Sequence, residues 1–290
     1  MNLKIKAAIL SKQKKPLLIK NIYLKNPLSK GQVLIKLMYS GICGSQIGEI
    51  DGVKGKDKFL PHLLGHEATG IILEKDKNVK NFKIGDKVIL HWKIGKGINS
   101  KTPVYSYREK KVNAGWVTTF NDHAVVSENR ITKLPKNLNM KQGVVFGCAL
   151  TTAYGVVHND AKVSKDDKLL IIGSGNIGLP MVLFSKFIGC KKIVVVEKAK
   201  SKLILSKKFG ADLCIQFKNE NIFKKQIKKI FNNGMPNKII ENTGNTKMIE
   251  MSYDILNNSG TLVLVGVPHF KKKVCINTLP LHMGKNLKGS

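Results

Sequence analysis

The hexapeptide Gly173-Ser174-Gly175-Asn176-Ile177-Gly178 follows the apolar run KLLII and opens the run LPMVLFSKF, whose apolar spacing is helical. A GxGxxG alone carries little weight, but between a strand and a helix each glycine has a physical task. Gly173 permits the tight turn, Gly175 lets the backbone approach a pyrophosphate, and Gly178 lets helix and strand pack closely. Phosphates would then rest on free N–H groups at the positive end of the helix, with Asn176 and Ile177 in the same turn. The next strand, KKIVVV, ends at Glu197, about 20 residues on, where an acidic side chain is wanted for the ribose hydroxyls. A carboxylate there repels a 2′-phosphate, so NAD is expected over NADP, although Lys198 and Lys202 lie close enough in sequence to offset its charge.

The rest of the second half supports this reading. The strand-like runs KLLIIGSG, KKIVVVEK and DLCIQF are followed by NKIIENTG and GTLVLVGVP. Helical runs, LPMVLFSKFIG and KSKLILSKKFGA, lie between the first three. Such alternation predicts βαβ units around a parallel sheet. Before about residue 150 the pattern differs: QVLIKLMYS, TGIILEK, GDKVIL and HAVVSENRITKLP are short apolar runs cut by Gly, Pro and Asn turns, which predicts a mostly β domain that starts with a strand in MNLKIKAAIL. Lys93 to Gly115 is a long polar stretch and is expected to be an ordered, lid-like loop. The expected division is 1–150 and 151–290, within the usual range of about 100–200 residues per domain.

Composition narrows the partners. The chain has 290 residues and a formal charge of +31, yet its 50 basic residues include only two arginines, Arg108 and Arg130. The lysines are spread along the whole chain, and the residue favoured for base readout and bidentate phosphate contacts is nearly missing. A solvated lysine surface is therefore expected, with no specific nucleic-acid partner. No apolar run approaches the roughly 18–20 residues of a membrane span, and the first residues do not read as a signal peptide, so the expected location is cytoplasmic. The five cysteines are an odd, scattered set, which argues for reduced thiols. Cys190, Cys214 and Cys275 read as small buried apolar residues. His62, His123, His158, His269 and His282 read as surface or capping residues, while His91 is a candidate for contact with a substrate. Trp116 and Tyr105 read as pocket lining or as a cover for the β domain.

Three soft or borderline metal donors stand in glycine-flanked turns: Cys43 in GICGS, His66 in GHEATG and Cys148 in FGCALTT. Two thiolates and an imidazole would leave one position of a tetrahedral zinc open, as a catalytic site requires. Spacing alone does not group them. GICGS, GHEATG followed by NFKIGDKVIL, GCALTTAYG, GSGNIG and LVGVP, in that order, resemble the zinc-containing medium-chain dehydrogenases, which include alcohol, sorbitol and threonine dehydrogenases. The resemblance covers nearly the whole chain. It implies an α/β architecture: a GroES-like β-barrel catalytic domain joined to a Rossmann domain with a doubly wound parallel sheet, the active site lying in the cleft between them.

Carried over position by position, the resemblance implies that Cys43, His66 and Cys148 hold one catalytic zinc and that Glu67 approaches it during ligand exchange. Ser45 would contact the substrate hydroxyl and begin the proton relay. Thr152, Asn242, Thr243 and Val265-Gly266-Val267 would lie toward the cofactor, with Lys202 near its ribose. The implied reaction is hydride transfer between the CH–OH group of an alcohol, polyol or sugar derivative and NAD(P), with zinc as Lewis acid. The family forms dimers and tetramers, so a homo-oligomer is expected.

Four departures stand out. No cysteine lies between Cys43 and Cys148, so the second, structural zinc of many relatives is not expected. Gln46 replaces the usual Asp after the relay hydroxyl, and Gly48 replaces the outer relay histidine. Asp76 takes a turn position where relatives have Gly or Ala, and Asp tolerates left-handed backbone better than most residues. Relatives also continue past KNLKGS, so the last sheet edge and helix and the return to the catalytic domain are expected to lie outside this chain. The alternative implied is an impaired member that binds zinc or dinucleotide without turnover.

Overall fold

The structure, a computed structural model, describes residues 3–24, 27–231 and 234–290. The first two residues of the predicted opening strand lie outside these; the remainder forms the strand Leu3–Leu10. The chain divides into two compact units, Met1–Cys148 and Ala149–Ser290.

The first unit is antiparallel β. Among the described residues, one sheet runs in the order His62–Leu63, Leu3–Leu10, Leu18–Leu24, Tyr105–Tyr107 and Lys110–Val112. The second runs Ile131–Lys133, Lys87–His91, Glu67–Lys75, Gln32–Ser40 and His123–Ser127. The two sheets face each other across Ile5, Ile22 and Tyr105 on one side and Leu34 and Val125 on the other. The neighbours Val33, Ile35, Ala124 and Val126 point to the opposite face and build a second cluster with Ala68, Ile72 and Leu90. Gln32–Ser40 is thus covered on both faces near its start, which explains its unbroken VLI run where a half-exposed strand would alternate.

The second unit carries a six-stranded, all-parallel sheet in the order Leu213–Gln216, Lys192–Glu197, Lys168–Ile172, Lys238–Glu241, Thr261–Leu264 and Asn286–Gly289. Its strands feed alternate side chains to two cores. Leu169, Ile171, Ile193 and Val195 pack with Met181 and Val182 of the helix Gly178–Ile188. Leu170, Ile172, Val194 and Val196 pack on Phe223 and Ile227 of the helix Glu220–Ile230 and on Met248 of the helix Thr246–Asp254. Burial on both faces is why these strands read as continuous apolar runs. Strand order reverses between Lys168–Ile172 and Lys238–Glu241, and the crevice beyond their carboxyl ends is where such a sheet binds ligands.

Four expectations are corrected. The final sheet edge is present: Asn286–Gly289 pairs in parallel with Thr261–Leu264 as the sixth strand. The polar stretch from Lys93 is not all loop, because Tyr105–Tyr107 and Lys110–Val112 form a hairpin whose connecting Arg108 and Glu109 both have positive φ, 47° and 63°. Two residues of positive φ match the twist of the flanking strands, but the usual Asn-Gly signal for such a turn is missing. Asp76 does not use left-handed backbone. It holds its turn as an acceptor, taking hydrogen bonds from Gly31 N (2.9 Å) and from Asn78 N and Nδ2 (3.1 and 2.8 Å). The Gly31 bond first, then Asn78, pulls its carboxyl down to about 2. Finally, Cys190 is buried and Cys214 half-buried, but Cys275 is exposed, in a segment outside the helices and strands.

Candidate metal centre and dinucleotide turn

In the first unit, Cys43, His66 and Cys148 come from three separate elements. Cys43 is the N-cap of the helix Gly44–Asp51, with φ −99° and ψ 147°. His66 lies between Gly65 and the strand Glu67–Lys75. Gly65 has φ +92°, and a Cβ there would press on the Thr119 backbone nitrogen at 2.8 Å, so no other residue fits the turn that presents His66. Cys148 follows the short turn Val144–Gly147.

One donor atom from each of these three residues lies within 4.8 Å of the others, the one such group of three among the described residues. His66 Nδ1 is 2.9 Å from Gln46 Nε2, while His66 Nε2 is buried with no hydrogen-bond partner outside the donor group. Cys148, then His66, then Ser45 act on the Cys43 thiol by hydrogen bonding and hold it far below the usual thiol range, against the opposing effect of burial. A thiolate at a helix N-terminus is a ready metal donor. Two sulfurs and a nitrogen with no partner outside the group are a donor set that suits zinc with a position left open.

Ser45 bonds to Cys43 through both its side chain and its backbone. Glu67 is buried at the start of its strand and is not part of the donor group. Its carboxylate lies instead against Gly41, where a Cβ would overlap it. A cavity of about 840 Å³ in the same unit reaches His66 and Gln46 and is lined also by Phe59, Trp116 and Lys111. Trp116 is exposed and stacks with Arg130 at 4.7 Å, whereas Tyr105 is fully buried and its hydroxyl accepts from Val125 N. His91 is committed to the fold: Nδ1 lies 2.7 Å from Lys93 O and Nε2 3.0 Å from Thr132 Oγ1. His62 is clamped between Asp57 Oδ2 (2.7 Å) and Leu63 O (2.9 Å), so it ties a loop to the sheet.

In the second unit, Gly173 adopts φ +85° directly after the strand Lys168–Ile172. No atom outside the turn lies within 4 Å of where a Gly175 Cβ would be, which leaves that backbone open to a ligand. At Gly178 a Cβ would overlap Gly173 O, so helix and turn meet only through glycine. No side chain caps this helix, whose N-cap is Ile177, and Asn176 is exposed beside it. The Glu197 carboxylate accepts from Ser174 N (3.1 Å), Lys198 N (2.7 Å) and Ala199 N (3.2 Å), with Lys202 Nζ at 3.9 Å. Burial works to raise its pKa, but these backbone donors and Lys202 outweigh it and the net shift is downward. Asn242 Nδ2 donates to Gly173 O (3.2 Å), leaving Oδ1 buried without a partner. Thr152 lies on the helix Ala149–Gly155.

Sequence reasoning missed two residues here. Glu241 is fully buried at a strand end; burial raises its pKa, and it accepts from Thr243 N (2.8 Å), Thr243 Oγ1 and Gly244 N (3.0 Å). Its backbone oxygen also holds Val265 and Gly266 at 2.8 and 3.1 Å, so Glu241 shapes both loops at the crevice. The signal was available: a carboxylate ending an apolar strand needs partners. Phe217 lines a cavity of about 280 Å³ with Gly173, Glu197 and Thr243, and nothing in the sequence marked it.

Residues 29–136 match the alcohol dehydrogenase GroES-like domain, and residues 176–290 match the zinc-binding dehydrogenase family. Alcohol dehydrogenase 6 of Peromyscus maniculatus is 28% identical over 316 residues, covering 99% of this chain and 83% of that protein. An S-(hydroxymethyl)glutathione dehydrogenase of Escherichia coli is 28% identical over 317 residues, with 99% and 85% covered. The crystal structure of benzyl alcohol dehydrogenase from Acinetobacter calcoaceticus superposes with a TM-score of 0.85 at 26% identity, covering 99% of this chain and 84% of that one. No described helix is long and apolar enough to cross a membrane.

Proposed function

Since this chain belongs to the zinc-containing medium-chain alcohol dehydrogenase family, we propose that it oxidises the CH–OH group of a small alcohol or polyol, with NAD as hydride acceptor, using one zinc held by Cys43, His66 and Cys148. The observation that carries the reading is the three-donor cluster, in which the buried His66 Nε2 has no partner outside the group. A bound zinc would supply Lewis acidity to the substrate oxygen. The remaining work falls to the chain. Ser45, bonded to Cys43, takes the hydroxyl proton and passes it outward. Gly48 offers no ionisable group beyond it, so the proton continues to solvent. A bound nicotinamide would supply the acceptor for the hydride of the carbinol carbon. Gly175 and the uncapped helix would receive the pyrophosphate of a bound dinucleotide, and Glu197 with Lys202 would hold its adenosine ribose. The Glu197 carboxylate stays ionised because its own turn stabilises it, and its charge disfavours a 2′-phosphate. A homo-oligomer is part of this reading.

The test combines elemental analysis of the purified protein with reduction of NAD or NADP against a panel of alcohols and polyols. Zinc near one per chain with NAD reduction supports the proposal. Bound zinc with no reduction of either dinucleotide by any alcohol would sink it.

A further inference from the structure

Gln46 is 5% exposed and spends both ends of its amide. Its Oε1 accepts from Gly65 N–H, and its Nε2 lies 2.9 Å from His66 Nδ1. The backbone N–H can only donate, so the oxygen must face Gly65 and the NH2 must face the ring. An amide NH2 can only donate as well. Nδ1 is therefore the acceptor, and the single proton of a neutral imidazole belongs on Nε2. Yet Nε2 is the buried nitrogen with no partner outside the donor group, the one left to face a metal.

A metal on Nε2 needs a lone pair there, so the ring proton must move to Nδ1, where it would meet the Gln46 NH2. Two donors then face each other. Either the amide turns over and gives up Gly65 N–H, or its oxygen shifts to serve both. A carboxylate has no such conflict, because both of its oxygens accept.

We propose that Gln46 is a positioning residue that holds His66 as the Nε2–H tautomer in the metal-free protein and so weakens and gates metal binding at this site. The inference rests on the metal assignment above, but its first test does not. Long-range 1H–15N correlation spectra of the whole protein, stripped of metal by a chelator, report which ring nitrogen of His66 carries the proton. The expected result is a proton on Nε2 and a bare Nδ1; a neutral ring protonated on Nδ1 overturns the proposal. The second test is zinc affinity by chelator competition for the wild type and Gln46→Glu. Groups that back a ligating histidine tune affinity by about 10–100-fold, so Gln46→Glu is expected to bind zinc 10–100-fold more tightly and to carry its His66 proton on Nδ1. Equal or weaker affinity in a folded Gln46→Glu protein overturns the proposal. Failure of the metal assignment is separately visible as a wild type that takes no zinc at any concentration while the tautomer measurement still decides the role of Gln46.

Discussion

Gly173, Gly175 and Gly178 lie within a single strand-to-helix turn, whereas Cys43, His66 and Cys148 come from a helix N-cap, a loop before a strand and the residue after a short turn. Both sets build a binding site, but they are held by different means. The glycine turn works by local sterics, in that a positive φ, an open approach and a near-overlap with Gly173 O each demand glycine where it stands. The metal donors have no local relationship at all. They meet because Gly65, the strand Glu67–Lys75 and the segment before Cys148 are packed in one unit. Loss of one donor should therefore damage the metal site and spare the turn, while added bulk in the turn should do the reverse.

The largest effect is expected from Cys148→Ala. Structural zinc sites bind with roughly 10–16 kcal/mol shared among four protein ligands, so loss of one of three donors here implies a drop of about two orders of magnitude or more in affinity. Elemental analysis and chelator competition measure it, and calorimetric NAD binding should be unchanged. Coupled loss of dinucleotide binding would contradict the separation. In the other unit, Gly178→Ala places a Cβ against Gly173 O and should cost about 1–3 kcal/mol of stability, as overpacking does. Urea unfolding and NAD titration follow this; a midpoint within error of the wild type would show that the turn can give way.

A smaller change sharpens the cofactor side. Glu197→Ala should lower the preference for NAD over NADP by about tenfold, comparable to about 1.4 kcal/mol, while zinc content stays constant. An unaltered ratio of the two affinities would remove Glu197 from the selectivity argument. The smallest effect is on pH dependence. The folded pKa of Glu197 is lowered, so its contribution to stability is complete above the ordinary glutamate value of about 4.3 and is lost as the pH falls through the lower folded value. Glu197→Gln should flatten this acid limb in thermal unfolding scans between neutral and acidic pH; superimposable limbs would mean that Ser174, Lys198 and Ala199 do not hold the ionised form.

Legibility in the sequence followed the range of the interactions. Both fold classes could be read, because two-faced burial writes continuous apolar runs such as KIVVV and the helices between them keep their own period. The Tyr105–Val112 hairpin was hidden, since Arg108 and Glu109 accept positive φ without the turn residues that advertise it. Asp76 was recognised as unusual but explained wrongly, as backbone freedom where the structure uses its carboxylate. Glu241 carried no such mark, because its partners are the backbone groups of its own following residues, which only the folded turn brings to its carboxylate.

By itself the sequence determined the strand-turn-helix with its glycines and terminal glutamate, since contacts a few residues apart are dictated by which side chains are missing or present. It supplied three metal donors as well, but as separate residues related only through a family likeness. Tertiary structure decided that their donor atoms converge, that Glu67 stays out of the group, and that Gln46 turns its NH2 to His66 while its oxygen takes the Gly65 N–H. Such arrangements depend on the packing of elements distant in the chain, and the direction of an amide follows from whichever backbone group that packing sets beside it.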